Sequence, residues 1–521
     1  MGLEDNALVR RFINLGEKRA GSTTMGIVVG IVASFGGILY GYGTGTINGI
    51  MAMDHVKHTF PSNGEEFNSS ETSLIVSILS VGTFFGSITT PLISDTLGRR
   101  WCLILSSLVV FNLGAVLQTA AVDIPLLCVG RVITGIAIGF ISCTVPLYQS
   151  EAAPHWIRGA IVSCYQLAVA LGIFLAAVFN QATHKIGNSG SYRIPLALQI
   201  LWGLILGVSM FFMPETPRFY VSKDKDDKAL RALSRLRKLP EDHSDLLEEF
   251  NEIKAAHMFE CEVGKSSWRQ VFSNKNYQKK RLTTGILCQS FQQLTGVNFI
   301  IYFGTTFFND AGVDGFLTNL AINIVSVGTT IPGILLIEIA GRRNLMSGGA
   351  IGMSVSQLLV AIVGVSTSSD SSKKVLVAFS CIFIAFFSAT WGPGAWVVTG
   401  ELYPLSTRAK SMSLCIATNW LWNWIIAFTV PYMVDKDKGN LGNSVFFIWG
   451  GFNAICAVYS WAMIYETKGL SLEQVDELYE KVNYAWKSKG FVPTDRFSKA
   501  TKKRSSSGDL DKESSVKEEC V

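Results

Sequence analysis

Gln289, Gln292, Gln293, Thr295, Asn298 and Tyr302 put six side chains able to share hydrogen bonds within fourteen residues of a largely apolar run. Polar groups in such a run are unfavourable unless they face a cavity or a partner. Gln289, Gln293 and, less closely, Asn298 and Tyr302 follow one side of a helix, with Gln292 adjacent, so the spacing predicts a polar stripe. An amide offers both donors and an acceptor, so one Gln or Asn can match a hydroxyl pair of a neutral polyol and distinguish its stereochemistry. Aromatic rings supply flat faces for the C–H surface of such a ligand, and Trp396, following Gly392-Pro393-Gly394, and Trp420, Trp422 and Trp424 are available. Gln166 is a further amide inside an apolar run. A lone amide of this kind more often bridges helices and a lone tryptophan more often sits in an interfacial belt; clustering after Gln289 reverses that preference.

Bond-making chemistry has no comparable support. His55, His58, His155, His184, His243 and His257 fall in loops or near the ends of apolar runs with no nucleophile, base and acid in arrangement. No P-loop occurs, and no CxxC or Cys/His spacing suggests a metal. No catalytic residue, metal or cofactor is expected. The net charge of +5 and pI near 8.6 do not point to nucleic acid, because the basic residues are spread over segments that alternate with membrane-length apolar runs.

Those runs dominate the chain. Charged residues are 16% of the whole, against roughly 25% in an average soluble protein. Residues 1–21, 214–281 and 466–521 hold 56 of the 85 charges, leaving 29 for the other 376 residues, too few to solvate a soluble body of that size. Runs long enough to cross a bilayer lie at about 25–49, 74–94, 101–121, 124–147, 160–180 and 194–213, then at about 282–308, 316–338, 343–365, 374–398, 411–433 and 444–465. The expectation is an all-α membrane protein of twelve spans. It divides into an amino-terminal segment 1–24, a first bundle 25–213, a linker 214–281 with short helices at 229–236 and 246–253, a second bundle 282–465 and a tail 466–521, disordered from about 498. Arg10, Arg11, Lys18, Arg19, Arg99, Arg100, Arg158 and the basic residues of the linker fall on one side, which the positive-inside rule makes cytoplasmic, with both termini. The acceptor sequence Asn68-Ser69-Ser70 then lies outside, as glycosylation would require.

The two halves repeat. Asp95-Thr96-Leu97-Gly98-Arg99-Arg100 closes span 2 and Glu338-Ile339-Ala340-Gly341-Arg342-Arg343 closes span 8; Glu151 precedes Arg158 by seven residues, as Glu401 precedes Arg408; Glu215 ends span 6 and Glu466 ends span 12. The offsets are 243, 250 and 251 residues. An acid or a basic pair at a membrane edge commonly marks only the headgroup boundary, but three landmarks in register indicate duplicated halves. Such groups can form charge-assisted bonds between helix ends, and breaking them switches between two states.

The combination of Asp95 to Arg100, Gly130-Arg131, Pro214-Glu215-Thr216-Pro217-Arg218, Gln292-Gln293-x-x-Gly296-x-Asn298 and Glu466-Thr467-Lys468-Gly469 resembles the sugar porter family of the major facilitator superfamily, and within it fungal hexose and xylose transporters of the glucose/xylose symporter type. The resemblance runs from about residue 25 to 485. It implies two pseudo-symmetric six-helix bundles around a central sugar site, open to each side in turn, in the plasma membrane. Carried over by motif, the substrate residues are Gln166, Gln292, Gln293, Asn298, Trp396 and Asn419, with Tyr302 and Asn423. The gating residues are Asp95, Arg99, Arg100, Glu151, Arg158, Glu215 and Arg218, and Glu338, Arg342, Arg343, Glu401, Arg408 and Glu466.

Two positions depart from the family pattern. Ser326 stands where the family usually has a sugar-binding Asn. Gly43, in Gly41-Tyr42-Gly43-Thr44-Gly45, stands where proton symporters and many fungal members have Asp, the family partner of the position held by Arg131. Glycine cannot titrate, so the departure favours facilitated diffusion of a hexose such as glucose, with xylose as a second substrate. Two alternatives stay open: symport with protons carried by Asp54, Glu151 or another acid, and a transporter-like glucose sensor, against which the short stretch of about 56 residues after the last span argues. The expected partners are a small sugar and the lipid bilayer. Oligomeric state is not legible.

Overall fold

The computed structural model describes residues 22 and 24–492 except 62–66, 154–156, 264–267, 275–276, 311, 367–369, 435–437 and 471. The expected disordered tail from 498 and the basic residues of the amino terminus lie outside the described residues. Among the described residues there is no β-strand, and eleven helices are long and apolar enough to cross a membrane.

The first half contributes Thr24–Ala52, Ser69–Leu97, a third span built from Arg99–Leu105, a π-helical stretch Ser106–Phe111 and Asn112–Ala120, then Ile124–Ala152, Arg158–Thr183 and Gly190–Phe211. We number these spans 1 to 6. Where a helix begins in a polar connection, a side chain often satisfies its free amides: Asn68 and Glu71 form a capping box on span 2, and Asp123 accepts from the Leu126 amide at the start of span 4. Asn68 is exposed, and its carboxamide oxygen is committed to this cap.

The connecting segment holds the helices Pro217–Val221, Asp226–Arg237, Ser244–Val263 and Trp268–Val271, and residues 229–236 and 246–253 lie within the second and third of them. The second half follows with Gly315–Ala340, Arg342–Ser366, Leu405–Val434 and Val445–Met463, which are spans 8, 9, 11 and 12.

Spans 7 and 10 differ from the continuous runs read from hydropathy. Span 7 is two helices, Gln278–Leu294 and Val297–Asp310. The break falls at Gly296, whose φ of +85° is open to glycine and where a Cβ would lie 2.5 Å from the Trp449 ring. Neither piece alone is long enough to cross, so this crossing makes the twelfth. Span 10 is likewise divided at Thr390 into Asp370–Ala389 and Trp391–Glu401.

The outer faces are far more apolar than those of a soluble bundle. Phe85, Leu92, Val109, Leu335, Val365 and Val458 are among many large apolar side chains exposed on outer faces. Beside its apolar core the interior holds Gln149, Gln166, Asn180, Gln289, Gln292, Gln293, Asn298, Asn419, Asn423 and Asn453. That pattern suits a lipid-facing exterior and a polar centre. The halves meet through side chains at both ends: Asn48 donates to the Ile301 carbonyl (2.9 Å) and Ser73 to the Phe428 carbonyl (3.0 Å) at one, and the Ala160 amide donates to Glu338 (3.0 Å) at the other, which carries the Gly-Arg-Arg motifs.

Candidate functional site

The break in span 7 places amides from both of its helices beside span 11. Asn419 sits at the centre, donating to Gln289 Oε1 (2.7 Å) and Gln292 Oε1 (2.8 Å) and accepting from Gln293 Nε2 (2.8 Å). Gln293 Oε1 in turn accepts from Asn298, beyond the break, and from Asn423 (3.2 Å). Asn423 Oδ1 then accepts from the Tyr302 hydroxyl (3.0 Å) and from Ser80 of span 2 (2.6 Å). Gln292 also donates to the Gly392 carbonyl (3.0 Å) and Gln289 to Thr399 (2.9 Å), which ties the cluster to the second helix of span 10. Every member is buried.

Three hydrogen bonds among the described residues join the first half to this cluster and the tryptophans beside it. Trp396 donates its ring N–H to Gln166 Oε1 (3.1 Å) and meets Tyr165 edge-on at 5.1 Å. Trp420 donates to Ser142 (3.2 Å) and meets Tyr40 at 5.0 Å. Ser80 is the third. Of the residues expected to bind substrate, Gln166 and Trp396 form one pair, and Gln292, Gln293, Asn298, Tyr302, Asn419 and Asn423 form one connected network. Ser326 is not joined to it: its hydroxyl pairs with Ser388 (2.9 Å). Trp424 stacks on Phe428. Ser80, Ser142, Tyr40 and Thr399 were not singled out from sequence, because a small hydroxyl or a lone aromatic within a span carries no signal until its neighbour from another span is known.

The charged repeats form two clusters of one design at the motif end. In the first half Arg99 lies 3.3 Å from Glu151 and 3.4 Å from Asp95; in the second Arg342 lies 2.8 Å from both Glu338 and Glu401. Thr216 donates to Glu151 (2.7 Å) and Thr467 to Glu401 (2.6 Å). Glu215 accepts from the backbone amides of Arg99 (3.2 Å) and Arg100 (2.9 Å), and Glu466 from those of Arg342 (3.0 Å) and Arg343 (3.3 Å), so each caps the start of a helix. Burial raises the Glu215 carboxyl to about 6, against the opposing pull of the Thr216 amide and the Arg99 charge. Arg158, Arg218 and Arg408 are buried at the same end, with Arg408 donating to the Tyr403 carbonyl (2.8 Å).

The second arginine of each motif has a different job from the ion pairing expected of it. Arg100 donates to the carbonyls of Met210 (3.1 Å) and Phe211 (2.7 Å) at the end of span 6 and lies over Trp101. Arg343 donates to the Trp461 carbonyl (3.0 Å) near the end of span 12 and to Trp486, and lies over Trp461. Both act as carboxy-terminal helix caps held by cation–π contact.

Gly98 and Gly341 explain themselves through the same geometry. Their φ values are +100° and +84°, and a Cβ would fall 2.4 Å and 2.3 Å from the carboxylates of Glu215 and Glu466. Gly341→Ala is expected to cost about 2 kcal/mol or more from backbone strain and displacement of Glu466, read as a lower thermal midpoint of purified protein; Gly98→Ala should behave alike.

Gly43 is buried in span 1, and a Cβ there would touch only Ile138 at 3.4 Å. Arg131 is 1% exposed; among the described residues it donates one long bond, 3.4 Å to the Val76 carbonyl, and no carboxylate lies at ion-pair distance. Asp54 is exposed at the start of a short helix, and Glu151 is engaged by Arg99 and Thr216.

Residues 29–479 match the family described as sugar (and other) transporter. The major facilitator-type transporter ecdD of Aspergillus rugulosus is 49% identical over 92% of this chain and 91% of its own. The probable glucose transporter rco-3 of Neurospora crassa is 44% identical over 91% and 82%. The high glucose sensor RGT2 of Saccharomyces cerevisiae is 45% identical over 88% of this chain, which spans 61% of that protein. The proton:xylose symporter XylE bound to 6-bromo-6-deoxy-D-glucose superposes with a TM-score of 0.78 at 24% identity, over 88% of this chain and 99% of that one. The inward open conformation of XylE from E. coli gives 0.65 at 23%, over 87% and 99%. These two likenesses establish the twelve-span, two-bundle fold of the major facilitator superfamily. With its motifs, fold and relatives in agreement, the chain belongs to the sugar transporter family, whose members are multi-pass membrane transporters and not enzymes.

Proposed function

We propose that this protein is a plasma-membrane hexose carrier that works by alternating access and facilitated diffusion, with glucose as substrate and xylose as a second one. The single observation that carries the reading is the connected, buried amide network of spans 7 and 11. It offers donors and acceptors to neutral hydroxyls and presents no charge to them. Gln292, Gln293, Asn298, Asn419, Asn423 and Tyr302 exchange their mutual bonds for bonds to the sugar, and Gln166 with Trp396 closes the site from the first half. Ser326, turned to Ser388, leaves the sugar without the amide that the family usually supplies there, which alters preference among sugars. The motif end is the cytoplasmic one, with both termini, and Asn68 is the glycosylated residue on the outer face, its Nδ2 available while Oδ1 caps span 2.

Absence of coupling rests on Gly43: no titratable group stands there to exchange a proton against the buried Arg131, which among the described residues has no carboxylate at ion-pair distance. In cells lacking other hexose carriers, the expected result is saturable uptake of labelled glucose that is insensitive to a protonophore and raises no alkalinisation of the medium. Gly43→Asp is expected to introduce both signs of coupling. Sugar-induced alkalinisation by the unaltered protein would overturn facilitation in favour of symport. The sensor reading is favoured by the likeness to RGT2; no uptake despite full surface expression would decide for it.

A further inference from the structure

The break in span 7 takes the helical donor away from the Thr295 carbonyl, and two residues from other spans bond to it instead. In an unbroken helix the Thr295 carbonyl would accept from the Phe299 amide, but that amide donates to Gly296 instead (3.2 Å). A freed carbonyl at the centre of a membrane bundle is costly unless something else bonds to it. Gln357 Nε2 of span 9 donates to the Thr295 carbonyl at 3.0 Å, and Asn453 Nδ2 of span 12 does so at 3.1 Å. The two amides also join each other, Asn453 donating to Gln357 Oε1 at 2.7 Å, and Asn453 is tied to its own helix through the Trp449 carbonyl (2.9 Å). Both are about 1% exposed or less. The ring of Trp449 closes over Gly296 from the same helix.

We propose that Gln357 and Asn453 are positioning residues for the sugar site, holding the span 7 break so that amides on its two sides converge. Gln292 and Gln293 precede Gly296 by four and three residues and Asn298 follows it by two, so the bond from Asn298 to Gln293 depends on the angle between the two helices. Neither Gln357 nor Asn453 bonds to the substrate cluster itself. Their effect reaches it through the Thr295 peptide, which spans 9 and 12 anchor from behind.

This inference rests on the sugar site assigned above. Its test is the kinetics of glucose uptake at equal surface level for Gln357→Leu, Asn453→Leu and the double variant, with Ser354→Ala as control. Ser354 donates to the Gly450 carbonyl (2.9 Å) and so joins spans 9 and 12 without touching Thr295. The expected result is a rise in KM of at least tenfold in each leucine variant with Vmax within about threefold, a double variant no worse than the worse single one, and an unchanged KM in Ser354→Ala. An unchanged KM in the leucine variants, or an equal rise in Ser354→Ala, would overturn the proposal. Should the leucine variants not reach the surface, Gln357→Asn keeps the amide on an arm too short for Thr295; the same KM rise is expected, and a wild-type KM overturns the proposal. If the unaltered protein takes up no sugar, the site assignment itself fails instead.

Discussion

Gln293→Leu is expected to lower the Vmax/KM of glucose uptake by a hundredfold or more, about 2.7 kcal/mol, at unchanged surface level. Among the described residues, Gln293 is the side chain that hydrogen-bonds to Asn298, Asn419 and Asn423 together. Leucine of similar volume removes one donor and one acceptor while filling the space, so the change is chemical more than steric. Three buried amides lose a partner at once, each at a cost of about 1–3 kcal/mol when nothing replaces it. Water entering an open cavity offsets part of that in the empty carrier. In the sugar-loaded state the site is closed, and the ligand faces groups that no longer match its hydroxyls, which is where large discrimination arises. Gln166→Leu removes one acceptor from Trp396 and is expected to cost less, because a single bond is involved. Initial rates of labelled glucose uptake over a concentration series measure both.

Arg342→Met is expected to abolish transport and to lower the thermal midpoint of the purified protein. Its guanidinium is 2% exposed between Glu338 and Glu401. Removing one partner of a buried charge cluster costs roughly 3–5 kcal/mol, mostly because the remaining charges stay buried without compensation. Two carboxylates are left here, and Glu338 also holds the Ala160 amide of the other bundle, so contact between the halves at the motif end is lost with them. If this electrostatic account is right, changing Glu338 and Glu401 to Gln in the same protein should restore most of the stability, since a neutral set of similar shape escapes that penalty. Recovery of the thermal midpoint in the triple variant separates charge from packing.

Much of this arrangement was legible in the sequence. Span lengths, the paired motifs and the crowded amides of span 7 each follow from local spacing. The break at Gly296 was not, because 282–308 is one apolar run, and only the approach of Trp449 and a φ of +85° reveal that glycine as a requirement. Thr216 and Thr467 stood inside recognised motifs without a role until the fold put them on Glu151 and Glu401. Arg100 and Arg343 were grouped with the gating residues by their repeated motif, whereas the bonds of their guanidinium groups to the last carbonyls of spans 6 and 12 make them caps. Gln357 and Asn453 are 96 residues apart in sequence, and only the fold brings them to each other and to the Thr295 carbonyl. Pairings of this kind belong to tertiary structure, and no periodicity along one helix carries them.

The most direct test of the central claim is glucose uptake by the purified protein in sealed vesicles, with and without an imposed inward proton gradient. The account predicts that internal glucose rises to the external concentration and no further, at the same rate under both conditions, and that Gln293→Leu removes the saturable component. Accumulation above the external concentration when the gradient is imposed would contradict facilitated diffusion. Absence of any saturable uptake would contradict the assignment of a sugar-carrying site.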